Sequence, residues 1–301
     1  MSASESTPEA VGLRAEGRVA RRQAWSRTSR WILLGATLLG LVVLVVLGID
    51  NAITGIPALD WDFLVSYPSR KAELAGIRPG ILGLIWVLAL TVILAIPLAV
   101  GAAIWMEEFA PRNAILTTVR LNIANLAGVP SIIYGILGLA VFVRLMELGP
   151  SILAGALTLA LMILPMTVIT SVEAISQVPP SIREGSLALG ATRWQTVWNH
   201  VLPGAMPGIL TGTILAVARA AGETAALIVI GAAAFIAADP SLSFAGLLDS
   251  FTTLPMQVYS WTLQTKPEFR ANAAAGIIVL MIAVIGLNAL ALVVRDRLRR
   301  N

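Results

Sequence analysis

Two charged side chains, Arg219 and Glu223, stand inside the long apolar run 208–238. A charge at the centre of a membrane costs roughly 2.5–3.5 kcal/mol on insertion scales, so such residues rarely face lipid. A guanidinium offers a planar fork of donors that suits a tetrahedral oxyanion, and it never loses its charge. We therefore expect Arg219 to meet an anionic substrate and Glu223 to lie on the same helix face, four residues away. The structural alternative is that each charge pairs with another helix or subunit.

A second informative segment is polar and lies between two apolar runs. Ser181 and Glu184 have the spacing of a capping box, which predicts a helix over residues 181–199 that ends before Pro203. Gly190 suits a tight turn because glycine has no Cβ. An amphipathic helix here either rests on lipid headgroups or contacts a soluble partner, and Trp194 fits both interpretations.

Composition excludes several classes of protein. Of 301 residues, 57% are hydrophobic and 13% are charged, whereas soluble domains carry roughly 25% charged residues. The chain has no cysteine and one histidine, so we expect no disulfide, no metal site and no cofactor. It also has no Gly-x-x-x-x-Gly-Lys-Ser/Thr loop, so we expect neither ATP hydrolysis nor another enzymatic activity from the chain itself.

The apolar runs predict an all-α integral membrane protein. A membrane-spanning helix needs roughly 20 apolar residues, and six segments satisfy this requirement. They lie at about 31–49, 80–105, 123–143, 152–172, 208–238 and 273–294. The fifth is long enough to be tilted or broken. Residues 1–30 are interpreted as a basic, mobile tail that is not cleaved, and residues 31–301 as the transmembrane domain.

The distribution of Lys and Arg predicts the orientation in the membrane. With six spans, both termini lie on one side, and that side carries fourteen Lys and Arg residues against six on the other. The positive-inside rule then places both termini and the 181–199 helix in the cytoplasm. The chain is therefore predicted to be a multi-pass protein of the cell membrane. Its net charge of +4 reflects its orientation in the membrane, and no nucleic-acid partner is expected.

The spacing of the polar segment resembles the cytoplasmic loop of ABC importer permeases. The resemblance rests on Glu184, on Gly190 and on Leu202-Pro203, and it implies a coupling helix that docks into a groove on a separate ATPase. The residues implied in that contact are Ser181, Glu184, Gly185, Gly190, Trp194 and Pro203. This sequence departs from the family at Gly185 and Ser186, where alanine is usual, and at His200, where the family usually has an aliphatic residue.

The stretch Arg219–Ala225 is similar to the R-x-x-G-E-T-A motif of phosphate ABC transporter permeases. Two further stretches agree with that family: GVPSIIYG at 128–135 and EEFAP at 107–111. The resemblance covers residues 76–295, and it looks closer to the PstA-type subunit than to the PstC-type. It implies a substrate path that includes four residues, Arg219, Glu223, Thr224 and Ser131. Two departures are Ala226, where the family usually has proline, and the absence of an arginine at 165–170.

Family membership implies a heterodimer with a second permease subunit, two copies of an ATPase subunit, an extracytoplasmic phosphate-binding protein and membrane lipid. The loop 239–272 is expected to cover the external face. We hypothesise that Glu223 holds Arg219 between cycles and so prevents trapping of phosphate. The alternatives are the PstC-type subunit, a permease for another oxyanion, and a secondary transporter. The last should show inverted repeats, and a channel should show a filter motif, neither of which is visible.

Overall fold

The computed structural model describes residues 18–233, 235–240 and 245–300, and the chain divides into two compact units, residues 1–50 and 51–301. The first unit contains most of helix α1, Arg18–Gly55. The membrane-length stretch Thr28–Ala58, which includes the single helical turn after α1, has a mean hydropathy of 2.9. Its long apolar side chains are exposed, as lipid contact requires. Of the predicted basic tail, residues 1–17 lie outside the described part of the chain.

Helices form the second unit, and its described residues contain no β-strand. The helices after α1 are α2 Trp61–Val65, α3 Arg78–Ile104, α4 Ala114–Ala127, α5 Ser131–Gly138, α6 Ile152–Ser176, α7 Pro180–Ala188, α8 Arg193–Thr196, α9 Leu202–Ala221, α10 Ala225–Val229, α11 Leu254–Thr262 and α12 Phe269–Arg300. Three π-helical turns extend α3, α5 and α8, at Trp105–Phe109, Leu139–Leu145 and Val197–Val201. The predicted all-α membrane fold is confirmed.

Helix α6 is the centre of this unit, packed between α3 and α9. Two-thirds of the most apolar stretch of α6 is buried, whereas none of the corresponding stretch of α12 is buried. Two buried hydroxyls in this core donate to carbonyls of their own helices, Thr91 to Val87 O at 2.7 Å and Thr158 to Ala154 O at 2.7 Å. Such bonds satisfy polar groups where no water is available. Helix α6 is therefore the buried helix against which α3 and α9 pack.

Two predicted spans differ from the structure. The third, 123–143, is not one helix, because α4 ends at Ala127 and α5 starts at Ser131 with a bend of 99°. Pro130 explains the break, since it cannot donate to the helix and restricts the residue before it. The fifth span, 208–238, is also interrupted, because α9 ends at Ala221. The structure thus has five helices of membrane length among its described residues, or six with the bent pair.

Candidate functional site

Arg219 lies in the last turn of α9, with Gly222 at the helix C-cap. Its side chain is exposed, and its Nη1 is 3.9 Å from the sulfur of Met166 on α6. A thioether is a weak acceptor and carries no charge. Among the described residues no carboxylate forms an ion pair with Arg219. The guanidinium therefore keeps its charge and most of its donors for another partner.

Glu223 lies beyond the end of α9, so the expectation that it shares a helix face with Arg219 is wrong. Its carboxylate instead accepts a hydrogen bond from the Ala226 N–H at 3.1 Å, at the start of α10. The first N–H groups of a helix have no partner within the helix, and a carboxylate there satisfies them. Thr224 occupies the N-cap position of α10, although its own side chain makes no capping bond. The idea that Glu223 holds Arg219 at some stage of transport stays a prediction.

One helix break lies between α4 and α5, and the other between α9 and α10. The two breaks are close together because α5 packs on α10. A Cβ added to Gly135 would lie 2.8 Å from the Ala226 Cα, so only glycine allows this approach. The Tyr134 hydroxyl donates to Leu126 O at 2.7 Å, across the break between α4 and α5. Ser131 is the first residue of α5. The structure thus places the GVPSIIYG stretch against the segment that follows Glu223.

Irregular backbone at membrane depth is tolerated where it lines a cavity or is buried in protein. The structure has two neighbouring breaks of this kind, one of them three residues after Arg219. That they line a substrate path stays a prediction. Sequence reasoning missed Met166 and Tyr134 as neighbours of this region. Tyr134 belongs to the GVPSIIYG stretch and could have been found there. No motif in the sequence marks Met166 as a neighbour of Arg219, because that contact depends on how α6 packs against α9.

The polar segment forms a hairpin of α7 and α8, which we call the 180–196 hairpin. Gly190 has φ of +87°, which confirms the predicted tight turn. The hairpin is closed by a buried hydrogen bond between the hydroxyls of Ser186 and Thr196 at 2.9 Å. The predicted single helix over 181–199 is therefore wrong, since α7 ends at Ala188 and a new helix begins at Arg193.

The predicted capping box at Ser181 and Glu184 is also absent. Helix α7 begins instead at Pro180, with Pro179 at the N-cap and no side-chain capping bond. Proline is favoured at the first helical position because its missing N–H would have had no partner there. The capping box observed in this region joins Thr192 and Gln195 at the start of α8.

Arg183 fixes the hairpin to two membrane helices. Its Nε and Nη2 donate to Glu108 Oε1 at 2.9 and 2.7 Å, at the end of the π-helical turn after α3. Its Nη1 and Nη2 donate to Val178 O and Ile175 O at 2.6 and 2.9 Å, at the carboxyl end of α6. Carbonyls at the carboxyl end of a helix have few intrahelical partners, although Ile175 O also accepts from Val178 N at 3.2 Å, and a cation there interacts favourably with the negative end of the helix dipole. One side chain thus joins α7 to the ends of α3 and α6, which we call the hairpin end of the bundle.

The outer face of the hairpin is apolar and exposed. Leu189 at the turn is 91% exposed, and Trp194 and Trp198 are each 58% exposed. The two indoles stack at 5.9 Å, and Phe109 lies 6.2 Å from Trp194. Surface tryptophans beside a protruding leucine are typical of protein contacts. All six residues predicted to contact a partner are exposed: five lie on this hairpin, Ser181, Glu184, Gly185, Gly190 and Trp194, and Pro203 lies at the start of α9.

Residues 95–301 match the family described as the binding-protein-dependent transport system inner membrane component, and the chain belongs to this family. A probable ABC transporter permease protein of Bacillus subtilis, YqgI, is 35% identical over 78% of this chain and 83% of its own length. The phosphate transport system permease protein PstA of Xylella fastidiosa is 28% identical over 81% of this chain and 84% of its own length. PstA 1 of Mycobacterium tuberculosis is 32% identical over 65% of this chain and 64% of its own length.

Solved ABC transporters share the fold. A structure of the MetNI methionine transporter in an inward-facing conformation matches with a TM-score of 0.54 and 18% identity, over 72% of this chain and 94% of the other. A bacterial alginate transporter matches with a TM-score of 0.61 and 14% identity, over 89% and 95%. The chain is a multi-pass membrane protein and an ABC transporter permease subunit, which is a transport component rather than an enzyme.

Proposed function

We propose that this chain is the PstA-type permease subunit of an ATP-driven importer that moves inorganic phosphate into the cytoplasm. The observation that carries the proposal is the state of Arg219, a permanent cation at a helix break with no carboxylate partner among the described residues. Because Glu223 is bonded to Ala226, it does not neutralise this charge. Phosphate supplies the acceptors that a guanidinium binds in a bidentate manner. Relatives named as phosphate permeases support the choice of substrate.

In this proposal the 180–196 hairpin lies in the cytoplasm and docks on a separate ATPase subunit through Leu189 and Trp194. The excess of Lys and Arg on that side supports the orientation. Movement of the hairpin reaches the membrane through Arg183, which is bonded to the carboxyl end of α6. The same helix carries Met166, which contacts Arg219. A second permease subunit, two ATPase copies and an extracytoplasmic phosphate-binding protein complete the assembly.

The substrate is tested by uptake of labelled phosphate in phosphate-starved cells that lack this chain. Restoring the wild-type chain should restore high-affinity phosphate uptake, and unlabelled arsenate should compete because it has the same shape and charge. The chain must be present in the membrane at equal levels in every strain. If phosphate uptake stays absent while uptake of another oxyanion such as sulfate returns, the chain is a permease for that oxyanion and the phosphate proposal is wrong.

A further inference from the structure

A cavity of about 570 Å³ lies at the end of the second unit opposite the hairpin end. It is formed by α11, by the turn before α12 and the first residue of α12, by the segment before α3 and by Phe235 after α10. Its polar lining residues are Ser69, Arg70, Gln257, Ser260, Gln264 and Lys266. Each can donate a hydrogen bond, two carry positive charge, and none of the described residues lining the cavity is a carboxylate. Such a donor set matches an anion.

Gln257 gives an independent sign that a ligand is missing. Its side chain is 1% exposed, and its Oε1 has no hydrogen-bond partner. Leaving a buried amide without partners costs about 1–3 kcal/mol, so native proteins rarely do so. The amide lies at the cavity wall. Because its unpaired atom is an acceptor, it needs a donor, which a protonated oxygen of hydrogen phosphate or a water in the first shell of a bound oxyanion supplies.

The two cations stand on segments that are fixed to each other. Asn272 in the first turn of α12 donates through Nδ2 to Ala72 O at 3.0 Å and to Ala75 O at 3.3 Å. This amide ties the segment that follows Arg70 to the helix that follows Lys266. The backbone segments that carry the two cations are therefore fixed relative to each other, which limits the conformational entropy lost when both side chains bind the same ligand.

Four acidic side chains at this end of the unit lie around a different cavity, and Asp239 is paired with Arg78. That cavity holds about 370 Å³ and includes four carboxylates, those of Asp60, Asp62, Glu73 and Glu268. Glu268 is only two residues from Lys266, yet it lines the acidic cavity and Lys266 lines the basic one. The positive potential of the basic cavity is therefore not cancelled by a carboxylate in its own wall, which favours anions over cations.

We propose that the cavity around Arg70, Gln257 and Lys266 binds a small, multiply charged oxyanion on the external face, before the ion reaches Arg219. The identification of the ion as inorganic phosphate, and of this face as external, rests on the proposed function. Because the two cations are exposed at the rim of the cavity, water remains around the bound ion and added salt weakens its binding. The cavity then acts as a weak capture site that raises the local concentration of the transported ion.

The sequence provides an internal control for a direct test. Lys71 and Lys266 are the only lysines of the chain, and Lys71 does not line the cavity. Sealed right-side-out vesicles that contain the transporter are treated with a membrane-impermeant amine acylating reagent, and the two modified peptides are quantified by mass spectrometry. By mass action, inorganic phosphate at ten times its dissociation constant should slow acylation of Lys266 about tenfold and leave Lys71 unchanged. Chloride at equal ionic strength should protect neither lysine.

Arg70→Gln should abolish the protection by phosphate while Lys266 itself remains reactive. Equal effects of phosphate on both lysines, or no effect on either, overturn the proposal, as does a failure of the reagent to reach Lys266. Protection that appears only when the phosphate-binding protein is added, whether or not phosphate is present, shows a protein-docking surface instead. The labelling reads the cavity directly, so it can fail while phosphate uptake by the wild type succeeds. Failure of that uptake concerns the proposed function alone.

Discussion

Arg183 and Glu108, which lie 75 residues apart in the sequence, form a bidentate-donor ion pair with Nε···Oε1 and Nη2···Oε1 distances of 2.9 and 2.7 Å. The side chains are only 22% and 11% exposed. A charge-assisted hydrogen bond contributes about 1.5–3 kcal/mol, more than an exposed ion pair, because little water competes for it. The pair connects the hairpin to the end of α3, and its removal should loosen that connection.

Arg183→Gln should therefore separate ATP hydrolysis from transport. The variant removes the donor to Glu108 and the side-chain bonds to Ile175 O and Val178 O, so the hairpin can move without moving α3 and α6. In purified transporter in liposomes, we expect phosphate uptake to fall about tenfold, which corresponds to roughly 1.4 kcal/mol, while ATP hydrolysis persists. Arg193→Gln is the matched control, since Arg193 is an exposed arginine of the same hairpin. Normal uptake by Arg183→Gln would show that the ion pair is not part of the coupling.

The exposed apolar tip of the hairpin should determine attachment of the ATPase. Leu189→Ser removes the most exposed apolar side chain of the hairpin without disturbing packing inside the chain. Central contact residues contribute about 2 kcal/mol or more to an interface, so affinity should fall roughly thirtyfold. Co-purification of the ATPase with the tagged chain measures this effect. Ile115→Ser changes another exposed apolar residue, which lies in α4 and is 73% exposed, and its ATPase content should match that of the wild type.

Two glycines of the hairpin should respond in opposite ways to alanine. Gly190 has φ of +87°, and a left-handed conformation costs a residue with a Cβ about 1–2 kcal/mol. Gly185 lies inside α7 with open space around it, so Gly185→Ala should stabilise the helix by up to about 1 kcal/mol. Hydrogen exchange of the hairpin amides should rise in Gly190→Ala and fall in Gly185→Ala. Equal exchange in the two variants would contradict the role assigned to the Gly190 turn.

The contact between α5 and α10 should be needed for the substrate path. A Cβ at Gly135 would meet the backbone of Ala226, which cannot move aside as a flexible side chain would. Gly135→Ala should therefore separate the two helix breaks and lower phosphate uptake without lowering the amount of chain in the membrane. Gly101→Ala serves for comparison, because nothing lies within 4 Å of a Cβ there. Wild-type uptake by Gly135→Ala would show that the close approach is not required.

Apolar run length predicted the uninterrupted helices well. The predicted spans 80–105 and 152–172 correspond to α3, Arg78–Ile104, and α6, Ile152–Ser176, because the apolar run is bounded at both ends by polar residues or prolines. The same signal failed at Gly222, since the apolar run continues on both sides of the break. Hydropathy does not distinguish a continuous helix from two helices, so the position of Glu223 relative to Arg219 could not be obtained from it.

The errors in the hairpin arose from competing local signals. Ser181 and Glu184 fit a capping box, but Pro180 is favoured at the first helical position and places the start of α7 one residue earlier. The pattern Thr192-x-x-Gln195, which forms the observed box, is equally visible in the sequence. The bond between Arg183 and Glu108 has no local signature. Contacts between distant parts of the chain depend on how the helices pack, which a single sequence does not specify.

The central claim is that Arg219 binds the transported phosphate, and uptake of labelled phosphate by cells carrying Arg219→Gln tests it most directly. Arg144→Gln, which removes another exposed arginine of the same chain, is the control, and both proteins must reach the membrane at wild-type levels. Loss of a charged hydrogen-bond donor should lower uptake by Arg219→Gln roughly tenfold to a hundredfold, with Arg144→Gln unaffected. Wild-type uptake by Arg219→Gln would contradict the account and leave Arg219 a structural residue.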